Sequence, residues 1–152
     1  MEGFKDNCGL RGMIKIEKIS ALGEVEVREI PNTITNTGKQ QVASLLLTDV
    51  GGTAFDYLAI GTASTAPSTA NTALGSEAYR VAGAGTRVTG SSGISDSSRL
   101  SGSFNITTTA TMREMGIFNS SSTGIMLGRA TFSDLAVNNG DTVNAVYTVI
   151  VG

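Results

Sequence analysis

The apolar positions of this chain recur mostly at every second residue. In "MIKIEKIS", Ile14 and Ile16 alternate with Lys15 and Glu17; in "EVEVREI", Val25 and Val27 alternate with Glu24, Glu26 and Arg28. Successive side chains of a strand point to opposite faces, so this period marks half-buried strands, and the short "ALG" between them predicts a hairpin. The second half repeats the pattern. "RLSGSFNITT" places Leu100, Gly102, Phe104 and Ile106 on one face, and "TATMREMGIFN" sets Met112 and Glu114 opposite Arg113 and Met115. "TGIMLGRATFS" and "DTVNAVYTVIV" follow, separated by "NSSS" and by the turn signal "NNGD". The last segment is apolar on both faces at Val146, Tyr147, Val149 and Ile150, which predicts a central strand.

One segment departs from period two. "NTGKQQVASLLLTDVGG" predicts a helix over about Lys39 to Leu47, with Asn36 or Thr37 as N-cap, Gly51 and Gly52 as the stop, and Val42, Leu45 and Leu46 on a face that caps the sheet. After it, "FDYLAIGT" reads as a short strand and "SEAYRVAGAGTRVTG" as a strand broken at Gly83 and Gly85. Between them lies a long Thr/Ser/Ala/Pro stretch, Gly61 to Ser76. Structureless segments beyond roughly 12–15 residues are uncommon without a purpose. Turns at roughly 8–12-residue spacing predict an all-β fold, a sandwich or barrel of about eight strands with one short helix.

The 152 residues suit one domain, residues 13–152. Residues 1–12 mix Phe4 and Leu10 with charges in no regular period, which predicts an N-terminal arm. Charge then narrows the function classes. A formal net charge of -2, with no Lys/Arg run, supplies no general attraction to nucleic acid or to an anionic membrane. Charges near the N-terminus oppose a signal peptide, and no apolar run approaches a membrane span, so synthesis in the cytoplasm is expected. Cys8 is the single cysteine, an unpaired thiol with no disulfide or zinc cluster to join.

The chain holds no histidine, so Ser-His-Asp and Cys-His arrangements and an imidazole base are excluded. Asp56, Glu77 and Glu114 lie in or near strands, but spacing alone does not bring a catalytic carboxylate pair together. "TGKQQ" lacks both the upstream glycine and the Ser/Thr after Lys39 that a phosphate loop needs. "VNNGDT" lacks calcium-loop spacing and reads as a hairpin turn. Arg113 and Glu114, being adjacent, are expected on opposite faces, one of them in a cross-strand ion pair. Tryptophan is absent and aromatic residues make up 5%, few for stacking on sugars or bases. No catalytic residue, cofactor or metal is expected.

Three blocks in order resemble a family of small virion structural proteins of tailed bacteriophages: "YLAIGTASTAPSTANTALGSEAYR", "MREMGIFNSSSTGIMLGRATFS" and "NNGDTVNAVYTVIV". In the first, Ala59 to Thr62 lead into the loop, followed by Thr72 to Glu77 and Arg80. In the second, Glu114, Gly116 to Asn119, and Met126 to Phe132 carry the likeness, which spans roughly residues 32–151. The resemblance implies a non-enzymatic virion protein, assembled in the host bacterial cytoplasm. The leading reading is a trimeric capsid decoration (cement) protein, an all-β, jelly-roll-like antiparallel β-sandwich with one short helix, that binds the major capsid protein. The alternative is a tail-tip, baseplate or tail-fibre component, and a carbohydrate-binding host-recognition module is the third. On that reading the long loop is an interface element ordered by its neighbours. The candidate interface residues are Phe4 and Leu10 of the arm, with Thr62, Ser64, Thr65, Pro67, Thr69 and Asn71 of the loop.

Overall fold

A computed structural model describes residues 9–47, 50–90 and 93–152. The hydrophobic alternation resolves into ten strands and one helix among them. Strands β1 (Leu10–Ile19) and β2 (Val25–Pro31) form the opening hairpin. Its turn closes by hydrogen bonds from Ser20 N to Glu24 O and from Gly23 N to Ser20 O, both 2.8 Å, with Gly23 at φ 85°. The short β3 (Thr33–Ile34) precedes α1 (Asn36–Leu45). Then come β4 (Tyr57–Gly61), β5 (Glu77–Ala82), β6 (Ala84–Val88), β7 (Ser97–Asn105), β8 (Ala110–Phe118), β9 (Met126–Val137) and β10 (Thr142–Val151).

The strands make two five-stranded antiparallel sheets, ordered β2-β1-β10-β7-β6 and β3-β9-β8-β4-β5. This is the predicted all-β sandwich with one short helix. Strand β10 lies at the centre of the first sheet, paired with β1 from Thr142↔Ile19 to Val151↔Leu10 and with β7 from Thr142↔Asn105 to Ile150↔Ser97. Between the sheets sit Ile14, Ile16, Leu58, Phe104, Met115 and Tyr147, all fully buried.

Four particulars depart from the sequence reading. Strand β1 starts at Leu10, so Leu10 to Gly12, counted with the arm, belong to the sheet; Leu10 pairs with Val151 and packs against the core. Residues 1–8, with Phe4 and Cys8, lie outside the described residues. The segment after the long loop is two strands in different sheets: at Gly83 the chain crosses from β5 to β6, its N–H bonding Asp56 O at 2.8 Å. A Cβ on Gly83 would meet Leu100 Cγ at 2.6 Å, so only glycine allows this crossing to pack as it does.

The helix starts earlier than predicted, and of its predicted inward face Val42 packs against the core while Leu45 and Leu46 are exposed. Thr35 is the N-cap, its hydroxyl accepting from Gly38 N at 2.9 Å. Gly38 and Gln41 are the residues it buries. The backbone of Leu127 presses so close that a Cβ on Gly38 would lie 2.5 Å from Leu127 O. That contact holds the helix against β9, and the leucines at and beyond its C-terminal end, Leu46 at 78% and Leu47 at 67%, stay exposed.

Candidate functional site

Strand β8 carries an irregularity where it meets β9: Met112 pairs with Leu135, whereas Glu114 pairs with Thr131. The bulge breaks period two. Met112 and Met115 both face the core, while Glu114 points to the outer side of the second sheet, beneath the Gly61–Ser76 loop. Strand β9 sends Arg129 to the same side. Glu114 is 0% and Arg129 2% exposed, and they form a buried ion pair, with Nε and Nη2 of Arg129 each 2.8 Å from Glu114 Oε2.

A buried charge is tolerated when its remaining hydrogen-bonding capacity is met, and the loop meets most of it, Arg129 Nη2 alone making no hydrogen bond. Glu114 accepts from the backbone N–H groups of Ser76 at 2.7 Å, Gly75 at 2.9 Å and Ala63 at 3.3 Å. Arg129 Nη1 donates to Asn71 Oδ1 at 3.2 Å, and the same oxygen accepts from Ser68 N at 2.8 Å. Thr62 N bonds Ser76 O at 2.9 Å, closing the loop's base, and Asn36 N of the helix bonds Thr69 O at 2.8 Å. At Gly61 a Cβ would sit 2.3 Å from Ser76 O and 2.6 Å from Glu114 Oε1, so the close approach needs glycine. Under the loop, Leu74 packs with Ala59, Phe118 and Met126 as a small second core.

The loop is therefore fastened to the sheet by its own chain. Of the candidate interface residues, Ser64, Thr65 and Thr69 are exposed on it, whereas Thr62, Pro67 and Asn71 are half-buried. Asn71 serves the ion pair, and Thr62 O accepts from Arg113 Nη1 at 3.3 Å. Arg113 and Glu114, expected on opposite faces, thus both reach the loop. Arg113 also binds Asp134 at 2.7 Å, so both members of the adjacent pair have ionic partners. Arg113 holds the Asp134 carboxyl below its ordinary range by direct hydrogen bonding.

A third arginine completes this face. Arg80 makes two hydrogen bonds to Glu77, 2.8 and 2.6 Å, donates to the carbonyls of Ser120 and Thr123 at 2.8 Å each, and lies 3.8 Å over the Phe118 ring. Glu77 and Glu114 are each committed to their own arginine, so neither is a free carboxylate. Leu74, Gly75, Glu114, Phe118, Met126 and Arg129 thus fasten the Gly61–Ser76 loop, while Glu77 and Arg80 hold the turn between β8 and β9. The sequence reading missed this because Glu114 and Arg129 look like ordinary strand charges. The available signal was a charged residue at a position between apolar ones in both strands.

Two other features lie on the surface. Leu45, Leu46, Leu47 and Val50 are all exposed, around the C-terminal end of α1. A cleft opens between the two sheets at the end where α1 packs, lined by residues of both sheets and the helix. Among the described residues no group of three or more His, Cys, Asp or Glu is placed to hold a metal ion, and no helix is long and apolar enough to cross a membrane. The fold defines the class as a small antiparallel β-sandwich. Comparison of the chain with protein-family models, curated proteins and solved structures finds no match.

Proposed function

We propose that the chain is a non-enzymatic structural protein of a tailed-phage virion, a capsid decoration protein that binds the major capsid protein as a trimer and stabilises the head lattice. The observation that carries this reading is the run Leu45, Leu46, Leu47 and Val50, exposed at one end of a small acidic protein. Contiguous apolar surface of this kind marks a docking site, because each leucine removed from water contributes about 1.5–3 kcal/mol. The fastened loop adds a firm polar surface at Ser64, Thr65 and Thr69, and a contact surface that is already ordered loses little entropy on binding. The likeness of the three sequence blocks to virion proteins supplies the partner.

Quantitative mass spectrometry of purified particles, with labelling electron microscopy, tests the reading. A decoration protein is present in hundreds of copies on the head, and Leu46→Asp with Leu47→Asp keeps the fold while abolishing attachment. Copies confined to the tail establish the tail-component reading instead. Absence from particles, or undiminished attachment by the double variant, overturns the proposal.

A further inference from the structure

At the end of the sandwich beside α1, the two sheets part around a cleft of about 430 Å³, within the range of small-molecule sites. Strand register shows which side chains of the first sheet enter it, because residues directly opposite on neighbouring strands share a face. Tyr147, buried between the sheets, stands opposite Leu100, which stands opposite Gly85. Val149, Ser98 and Arg87 form the next row on that inner face, whereas Thr86 and Arg99 take the outer one. Ile117 of the second sheet, Phe55 before β4 and Val42 of the helix supply the facing walls. Val42, Phe55 and Val149 pack against the core yet remain half-buried, so apolar surface stays in contact with water. Gly85 keeps the slot open: a Cβ there would meet no atom within 4 Å. The rim carries one charge of each sign. Asp56 lies two residues before the buried Leu58, on the same inner face, and lines the cleft with Arg87. Among the described residues neither of these two side chains makes an ion pair or hydrogen bond.

We infer that this cleft binds a small neutral amphipath, its apolar chain between the sheets and a head that both donates and accepts hydrogen bonds at Asp56 and Arg87. A primary amide fits, its carbonyl accepting from the guanidinium and its N–H donating to the carboxylate. A charged head gains nothing from its charge, because an anion meets Asp56 and a cation meets Arg87. This site is separate from the leucines of the docking surface and stands or falls independently of the virion role.

Titration calorimetry of the full chain with octanamide tests the proposal, with octanoate and octylammonium as charged analogues of equal length and butyramide as the short one. Saturable binding of one octanamide per chain is expected, undetectable for butyramide, which lacks most of the buried chain. Each ion binds more weakly by the hydrogen bond it forfeits, about two- to tenfold. Arg87→Glu reverses the order in favour of octylammonium, and Asp56→Arg reverses it in favour of octanoate, a change that a merely structural role would not produce. Gly85→Phe fills the slot, keeps the melting temperature and abolishes binding, since the glycine's backbone lies outside the left-handed region and its Cβ has room. Should that variant unfold, the two charge reversals decide alone. Absence of saturation by octanamide, binding of either ion to the parent chain as tight as that of octanamide, an order unmoved by both charge reversals, or undiminished binding by a folded Gly85→Phe overturns the proposal. Self-association that Gly85→Phe abolishes overturns it too, since the occupant is then a second copy of the chain.

Discussion

Glu114→Gln keeps the side chain's shape and removes its charge, so it isolates what the buried ion pair does for the loop. Both carboxylate oxygens face donors: Oε1 receives Ala63 and Ser76, while Oε2 receives Gly75 and Arg129. Whichever position the amide nitrogen takes, a donor meets donors and Arg129 is left charged and buried. Removing one partner of a buried pair costs about 3–5 kcal/mol. For a domain of this size each kcal/mol lowers the melting temperature by about 2–4 °C, so a fall of about 10–15 °C is expected by circular dichroism. Amide hydrogen exchange adds the local readout: Ala63, Gly75 and Ser76 lose protection ahead of the strands. The double variant Glu114→Gln with Arg129→Met leaves no unpaired charge, so it is less destabilised than the sum of the single changes by about 2 kcal/mol or more. A Glu114→Gln protein melting within about 2 °C of the parent, with those three amides still protected, refutes the role given to the pair.

Tyr147 is fully buried, and its hydroxyl has no hydrogen-bond partner. Burial raises its pKa above the ordinary 10.0, so the folded state resists ionisation. Its contribution is then complete below pH 10 and declines above it, by about 1.4 kcal/mol per pH unit. Tyr147→Phe should leave stability at pH 7 unchanged or slightly raised and should flatten the alkaline decline measured by urea unfolding; parallel pH profiles for the two proteins contradict this. Truncation after Asp141 removes β10, which pairs on both sides, and no cooperative melt should remain by calorimetry; a transition near that of the full chain would show that the first sheet closes without its centre.

Period-two alternation was enough to locate most strands, because burial of one face imposes it directly: Leu100, Phe104 and Ile106 fall inward as the pattern requires. The centrality of β10 followed from apolar residues on both its faces, and the "NNGD" turn from its residue types. Asp141 there does more than the sequence indicates, since its carboxylate also accepts from Ala21 N at 3.1 Å and ties the two turns together. What tertiary structure alone decided lies where long-range contacts override local pattern. The apolar stripe of α1 predicted a buried face of Val42, Leu45 and Leu46; Val42 packs against the core, but Gly38 makes the closest approach, to Leu127, and the leucines stay outside. Alternation put Glu114 with Met112; the bulge against β9 separated them and delivered Glu114 to Arg129. The loop's order was illegible for the same reason. Leu74 is its one large buried apolar side chain, and the carboxylate that holds three of its amides lies 38 residues beyond Ser76, brought there by strand pairing that no local spacing encodes.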